Sequence, residues 1–293
     1  MRIINIYNQK RPVFSIEIFP PKTPEGLLAL KNKLIQFKDF HPDYISVTYG
    51  AGGSTRSNTH ELASYIKNYL QIEATAHLTC VAHTRNEIET VLDELKASNI
   101  ENILALRGDP PKGNEHFIPP TGGFSYANEL IEAIVQRKQF GIGAAGYPEG
   151  HIEAESLASD IMYLKKKVDA GAEFIITQCF MANDLFLKWR DLVRKQGIHV
   201  PLIPGILPAQ SLEQITRFAG MCGCHLPDSL LNALQTHQHD AEAMRQVGLD
   251  HARIQIEGLL KEGIEGIHLY ALNRLDTVEK LAPVITGSPS KAK

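Results

Sequence analysis

Two kinds of pattern alternate along this chain. Short apolar runs rich in β-branched residues occur at Val13–Ile18, Tyr44–Thr48, Ala74–Leu78, Ile103–Leu106, Ile142–Ala145, Phe174–Thr177, Leu202–Pro204 and Gly266–Leu269, and each predicts a strand. Between them apolar residues fall at helical spacing. Ile88, Val91, Leu92 and Leu95 follow i, i+3, i+4, i+7 behind a Thr84-Arg-Asn-Glu87 capping box. Leu27, Leu30 and Leu34 make a second stripe after Pro24, and Leu185, Trp189, Leu192 and Val193 a third. One junction recurs: Asn99-Ile-Glu-Asn-Ile103, Gly171-Ala-Glu-Phe-Ile175 and Gly263-Ile-Glu-Gly-Ile267, with a looser copy at Gly197-Ile-His-Val-Pro201. In each, a helix stops at Gly or Asn and an apolar strand begins. Eight strands alternating with helices predict a (β/α)₈ TIM barrel, and an open doubly wound sheet is the rival. No linker interrupts the pattern, so residues 1–293 read as one domain, with 286–293 as a frayed tail. Pro110–Thr121 reads as a long loop and Gly220–His239 as a longer irregular excursion.

Composition narrows the function classes. The 293 residues are 43% hydrophobic and 22% charged, with a formal charge of −3, which gives no electrostatic reason to expect nucleic acid or an anionic membrane. No apolar stretch is long enough to span a bilayer and the N-terminus lacks a signal-peptide core, so a cytoplasmic protein is expected. Cys80, Cys179, Cys222 and Cys224 do not suggest a disulfide framework in a chain of this kind.

The chemistry gathers at predicted strand ends, where barrel active sites lie. In Phe14-Ser-Ile-Glu-Ile-Phe-Pro-Pro21, Glu17 sits within an apolar strand. If buried, desolvation would raise its pKa and make it a proton donor near neutral pH; an edge-strand Glu facing water is the plain alternative. Other strands end in Ser46-Val-Thr-Tyr-Gly50, His77-Leu-Thr79, Arg107-Gly-Asp109, Tyr147-Pro-Glu-Gly-His151, Thr177-Gln178, and Tyr270 followed by Asn273-Arg274. Polar residues at so many ends argue for one central site. No strand-end Lys supports a Schiff base, and no ligand set has metal spacing. Cys222-Gly-Cys-His225 and His237-Gln-His239 fall in the irregular late segment and read as loop residues, so no metal is expected. Gly141-Ile-Gly-Ala-Ala-Gly146 matches GxGxxG formally. It follows a helical segment and precedes Tyr147-Pro148, so it reads as a small-residue strand and not a dinucleotide loop.

Taken in order, several segments resemble the 5,10-methylenetetrahydrofolate reductase family. They are Phe14–Thr23, Ser46–Thr55, His77-Leu-Thr-Cys80, Ala105-Leu-Arg-Gly-Asp-Pro110, Gly146–His151, Lys167-Val-Asp-Ala-Gly-Ala172, Ile176-Thr-Gln178, Pro204-Gly-Ile-Leu-Pro208 and Leu272-Asn-Arg274. The length matches the bacterial catalytic subunit. The resemblance implies a barrel holding non-covalent FAD, reduced by NADH or NADPH, which then passes a hydride from flavin N5 to the folate in ping-pong fashion. It implies Glu17 as general acid and Asp109 as a catalytic residue beside the flavin. Thr48, Tyr49, Ala51, His77, Arg107, Gly108, Tyr147, His151, Asp160 and Lys167 look like further FAD contacts, and Gln178 and Arg274 like folate contacts. Small-molecule substrates and a homo-oligomer are implied as partners. Cys179, Met181-Ala-Asn183, Leu212 and Tyr163 depart from the family pattern around the nicotinamide and the cofactor.

Overall fold

The computed structural model describes residues 1–50, 56–109 and 117–287. Ala51, part of the Pro110–Thr121 loop and the tail from 288 onward therefore lie outside the described residues. Nine strands are present among those described: β1 (Val13–Ile18), β2 (Tyr44–Val47), β3 (Glu73–Thr79), β4 (Asn102–Leu106), β5 (Gly141–Gly146), β6 (Phe174–Thr177), β7 (Leu202–Ile203), β8 (Gly205–Ile206) and β9 (Gly266–Tyr270). All pair in parallel, in the order β7-β6-β5-β4-β3-β2-β1-β9-β8. The two ends of that order, β7 and β8, are separated in the chain by Pro204 alone, so the sheet comes round into a barrel. The seventh strand expected as Leu202–Pro204 is thus two short strands, because proline has no N–H to give the ladder. The Pro204 carbonyl still accepts from His268 N at 3.0 Å.

Strand alternation sorts the side chains into two cores. Phe14, Ile16 and Ile18 of β1, Ile45 and Val47 of β2, and Ala74, Ala76 and Leu78 of β3 face outward and pack with the helices in the main apolar cluster. The opposite faces carry Ser15 and Glu17, Tyr44 and Ser46, and Thr75, His77 and Thr79 into the barrel. At the bottom, the helix Ile3–Gln9 plugs the interior with buried Ile3 and Tyr7. Tyr7 packs 6.1 Å from Phe174, and Ile3 N donates to Asn102 Oδ1 at 2.8 Å.

The expected stripes and caps form with one shift. Thr84 and Glu87 make the capping box and Ile88, Val91, Leu92 and Leu95 are buried. In the helix Asn183–Lys195 the buried stripe is Phe186, Trp189 and Val193, while Leu192 is exposed. The GxGxxG segment is β5. A Cβ on Gly143 would lie 2.5 Å from the Phe174 ring, and one on Gly146 2.8 Å from Trp189. These glycines make room for packing on opposite faces of one strand. The late excursion is more regular than expected, since Asp228–Thr236 is a helix. At the C-terminus, Thr286 ends a helix and Gly287 caps it at φ +67°, so the expected frayed segment does not include residue 286.

Candidate functional site

At the carboxyl ends of the strands lies a cavity of about 600 Å³. Glu17, Thr48, Tyr49, His77, Arg107, Gly108, Asp109, Tyr147, His151, Asp160, Lys167 and Gln178 all border it. Residues from β1 through β6 therefore meet in one space, as the alternation of polar strand ends implied. Arg274 does not reach the wall. It stands just before the helix Leu275–Thr286 and holds Asp276 through both carboxylate oxygens, at 3.0 and 2.6 Å.

Glu17 is the floor of the cavity. Ser15 and Glu17 point inward together because they are two apart on β1. Register places Ser15 beside His268 on β9, and Glu17 beside Ser46 on β2. His268 is fully buried. Its Nδ1 lies 2.8 Å from Ser15 Oγ and its Nε2 3.4 Å from Glu17 Oε2. A second imidazole approaches from β3, with His77 Nε2 2.8 Å from Ser46 Oγ and 3.5 Å from Glu17 Oε2. Burial lowers the His77 pKa to about 4, so this ring is neutral near pH 7 and its contact with Glu17 is not an ion pair. The Glu17 side chain keeps 18% exposure and borders the cavity. It is neither the water-facing edge residue nor a sealed one.

The opposite wall is basic and aromatic. Lys167, on the helix Leu157–Asp169, reaches back to donate to the Ala145 carbonyl at 3.0 Å and lies 5.5 Å from the Tyr147 ring centre. Burial pulls its pKa down to about 8, against the attraction of Asp160. Asp160 is itself buried, which raises its pKa, opposed by Lys167. Burial also lowers the pKa of His151, whose ring meets Tyr147 edge-on at 4.7 Å. Arg107 is gripped by both carboxylate oxygens of Glu153, one at 2.9 Å. Asp109 stands exposed at the rim.

Some wall residues carried no sequence signal. Phe218, Met221 and Cys222 come from the helix Leu212–Cys222, which folds over the cavity, although its end was expected to lie away from the strand ends. Leu212 itself packs in the apolar cluster beneath that helix. Tyr163 and Cys179, two departures from the family pattern, line the cavity. His268 could have been found from the period of two that also points Tyr270 inward. No group of described His, Cys, Asp or Glu residues could hold a metal ion, and His237 and His239 are exposed. No helix among the described residues is long and apolar enough to cross a membrane.

Comparison with known proteins agrees with the barrel and adds a family. The chain is similar in structure to an uncharacterized protein from Clostridium thermocellum that binds two copies of 5-methyl-5,6,7,8-tetrahydrofolic acid. The TM-score is 0.62 over 98% of this chain and 99% of that one, at 16% identity, a likeness of fold. In sequence it is 40% identical over 283 residues to methylenetetrahydrofolate reductase (NADH) 1 of Arabidopsis thaliana, covering 93% of this chain and 48% of that protein. The chain thus spans about half the length of the plant relatives it matches. It is 37% identical over 262 residues to the 5,10-methylenetetrahydrofolate reductase of Escherichia coli, covering 89% of this chain and 86% of that protein. A family profile described as methylenetetrahydrofolate reductase matches residues 2–285, from the helix that plugs the barrel to the one that closes it. With a match of that extent, and a bacterial relative covered over most of its length, the chain belongs to the methylenetetrahydrofolate reductase family.

Proposed function

We propose that the protein reduces 5,10-methylenetetrahydrofolate to 5-methyltetrahydrofolate, with FAD bound in the cavity and NADH or NADPH as reductant. The observation that carries this reading is Glu17, a partly buried carboxyl on the cavity floor touched by two imidazoles, in a chain of this family.

The cavity suits a large polar cofactor. Arg107, His151 and Lys167 offer donors suited to phosphate and other polar groups. The Thr79 hydroxyl, on the cavity wall, is buried with no protein partner. Gly108, at φ +87°, brings bare backbone to the same wall, where a Cβ would press within 3.1 Å of Thr79 and Val81. Bound FAD would accept a hydride from the nicotinamide and supply one to the folate methylene carbon.

The chain's own part is the proton. Glu17 gives its proton to folate N10; the bond from the methylene carbon to N10 breaks, and the N5 lone pair opens the five-membered ring to an N5 iminium ready for the hydride. His268 joins the Glu17 carboxyl to the Ser15 hydroxyl, and an imidazole that accepts at one nitrogen and donates at the other fixes the carboxyl and returns a proton to it. Gln178 borders the space where the pterin would lie. Arg274 would meet only a glutamate tail that extends past the wall, and would share its guanidinium with Asp276. Asp109, by its charge, would lower the potential of a flavin beside it.

The test is the visible spectrum of the purified protein during anaerobic addition of NADH and then of methylenetetrahydrofolate. Flavin absorbance should bleach and return. Glu17→Gln should still bleach, with the return slowed by about 10²-fold to 10⁴-fold. A protein that takes up no flavin, or a Glu17→Gln variant that returns at the normal rate, overturns the reading.

A further inference from the structure

The loop after β6 is held from behind by a helix that has no residue on the cavity wall. Gln178 and Cys179 border the cavity, and the chain then runs through Phe180, Met181 and Ala182 into the helix Asn183–Lys195. Ala182 stands at the N-cap position and supplies no side-chain bond, so the turn lacks the usual local support. The helix Ala241–Lys261 supports it instead. Gln255 Nε2 donates to the Phe180 carbonyl at 3.1 Å, and His251 Nε2, four residues earlier on the same helix face, donates to the Met181 carbonyl at 2.9 Å. Asn183 returns the bond, its Nδ2 donating to the Gln255 carbonyl at 2.9 Å. Gly258 makes room for that amide, since a Cβ there would lie 2.7 Å from Asn183 Nδ2. Gln255 is 4% exposed among Ala252, Ile256 and Leu259, and its Oε1 has no protein partner. An apolar residue would pack there without leaving an unpaired oxygen, so this half-satisfied amide serves something other than packing.

What it serves is Gln178. The Gln178 backbone N–H donates to the Gly146 carbonyl at 2.8 Å, and its Oε1 accepts from Cys179 N at 2.9 Å, so the amide offers a ligand its Nε2 donor. That orientation depends on where the Cys179 N–H stands, and Cys179 is joined directly to the residue whose carbonyl Gln255 holds. We propose that His251 and Gln255 are positioning residues for the folate: by holding the carbonyls of Phe180 and Met181 they fix the Cys179 N–H, and with it the Gln178 amide, as a preset donor to an acceptor atom of the pterin. The inference rests on the folate reading above and adds to it two residues outside the cavity. A donor ordered before the substrate arrives spares the cost of ordering it on binding. The flavin side, where Arg107, His151 and Lys167 stand, belongs to other elements and is untouched.

The experiment reads three quantities: 5-methyltetrahydrofolate binding to the FAD-loaded protein by calorimetry, FAD binding to the apoprotein by fluorescence titration, and deuterium exchange of amides 179–183. His251→Leu and Gln255→Leu should each weaken folate binding by about threefold to tenfold, leave the FAD dissociation constant unchanged and speed exchange in 179–183. His251→Gln, which keeps a donor within reach of the same carbonyl, should recover most of the loss. In a Gln178→Ala background neither leucine substitution should cost further folate affinity, a result that general loosening of the fold would not give. Gly258→Ala, a change that favours the helix and displaces Asn183, should act in the same direction and answers the question should the leucine variants fold poorly. Unchanged folate binding in the variants, an equal loss of FAD affinity, or full additivity with Gln178→Ala would each overturn the proposal. A wild-type protein that binds flavin but no folate overturns the folate reading and this inference together; wild type and variants that bind folate equally well overturn this inference alone.

Discussion

His268 Nε2 lies 3.4 Å from Glu17 Oε2 while its other nitrogen meets Ser15 Oγ at 2.8 Å, so one buried ring bridges two residues that are neighbours on β1. Ser15 and Glu17 would not otherwise communicate, being two positions apart along a rigid strand. His268→Gln keeps a polar side chain of similar reach but cannot relay a proton. It should slow the folate half-reaction by about 10-fold or more and leave flavin reduction by NADH unchanged. Rapid-mixing measurement of the two halves separates them, and equal slowing of both would mean that His268 only supports the fold.

His77 makes stability depend on pH. Its folded pKa is about 4, against 6.5 for an ordinary imidazole. Between these values the unfolded chain binds a proton that the folded protein does not, so stability present above pH 6.5 is lost as the pH falls toward 4. The difference amounts to about 3 kcal/mol from this residue. His77→Gln, neutral at every pH, should lose that much less on acidification. Urea unfolding of both proteins at the two ends of the window is the check; parallel curves would show that His77 is not held neutral by burial.

Arg107 is engaged before any ligand arrives. To meet a cofactor phosphate its guanidinium must loosen its bidentate hold on Glu153. Glu153→Gln weakens that competitor and should tighten FAD binding by about threefold to fivefold, the scale of a partly exposed ion pair. Arg107→Met should weaken it. Fluorescence titration of the apoprotein with FAD reads both, and weaker binding in Glu153→Gln would mean that Glu153 itself supports the cofactor site.

Gly143 tests the packing account of the glycine-rich strand. Gly143→Ala drives a methyl against the Phe174 ring at 2.5 Å and Leu104 at 2.9 Å inside the barrel. A loss of about 1–3 kcal/mol in denaturant unfolding is expected. A neutral outcome would show that the Phe174 ring can move aside.

The barrel was legible because its signals are local. Strand ends such as Arg107-Gly-Asp109 and Tyr147–His151 follow short apolar runs, and a parallel barrel delivers whatever follows its strands to one face. Glu17 was legible for the same reason, as an acid in an apolar strand. What escaped depends on partners distant in sequence. His268 acquires meaning only beside Ser15, 253 positions away, and Arg274 stands off the wall with its guanidinium on Asp276. The helix Leu212–Cys222 escaped because it follows β8 and turns back over the cavity, a tertiary choice with no trace in its own period. Its Ile215 and Ala219 join Leu230 and Leu234 of the next helix in one apolar cluster, against which Phe218 also packs while bordering the cavity with Met221.

Pro204 gives the barrel a seam. Elsewhere neighbouring strands share four or five register pairs, but β6 with β7 and β8 with β9 share two each. Across the gap, Gly205 N turns instead to the Thr177 hydroxyl at 3.0 Å. A hoop joined by its shortest overlap parts there first, so the amides of 202–206 should exchange with solvent deuterium ahead of those of β1 to β5. Leu207, next after that overlap, is part of the cavity wall, and Cys179 stands just past β6 on the seam's other side. The joint that closes the ring is thus also the place where the cavity's border can breathe without unfolding the rest.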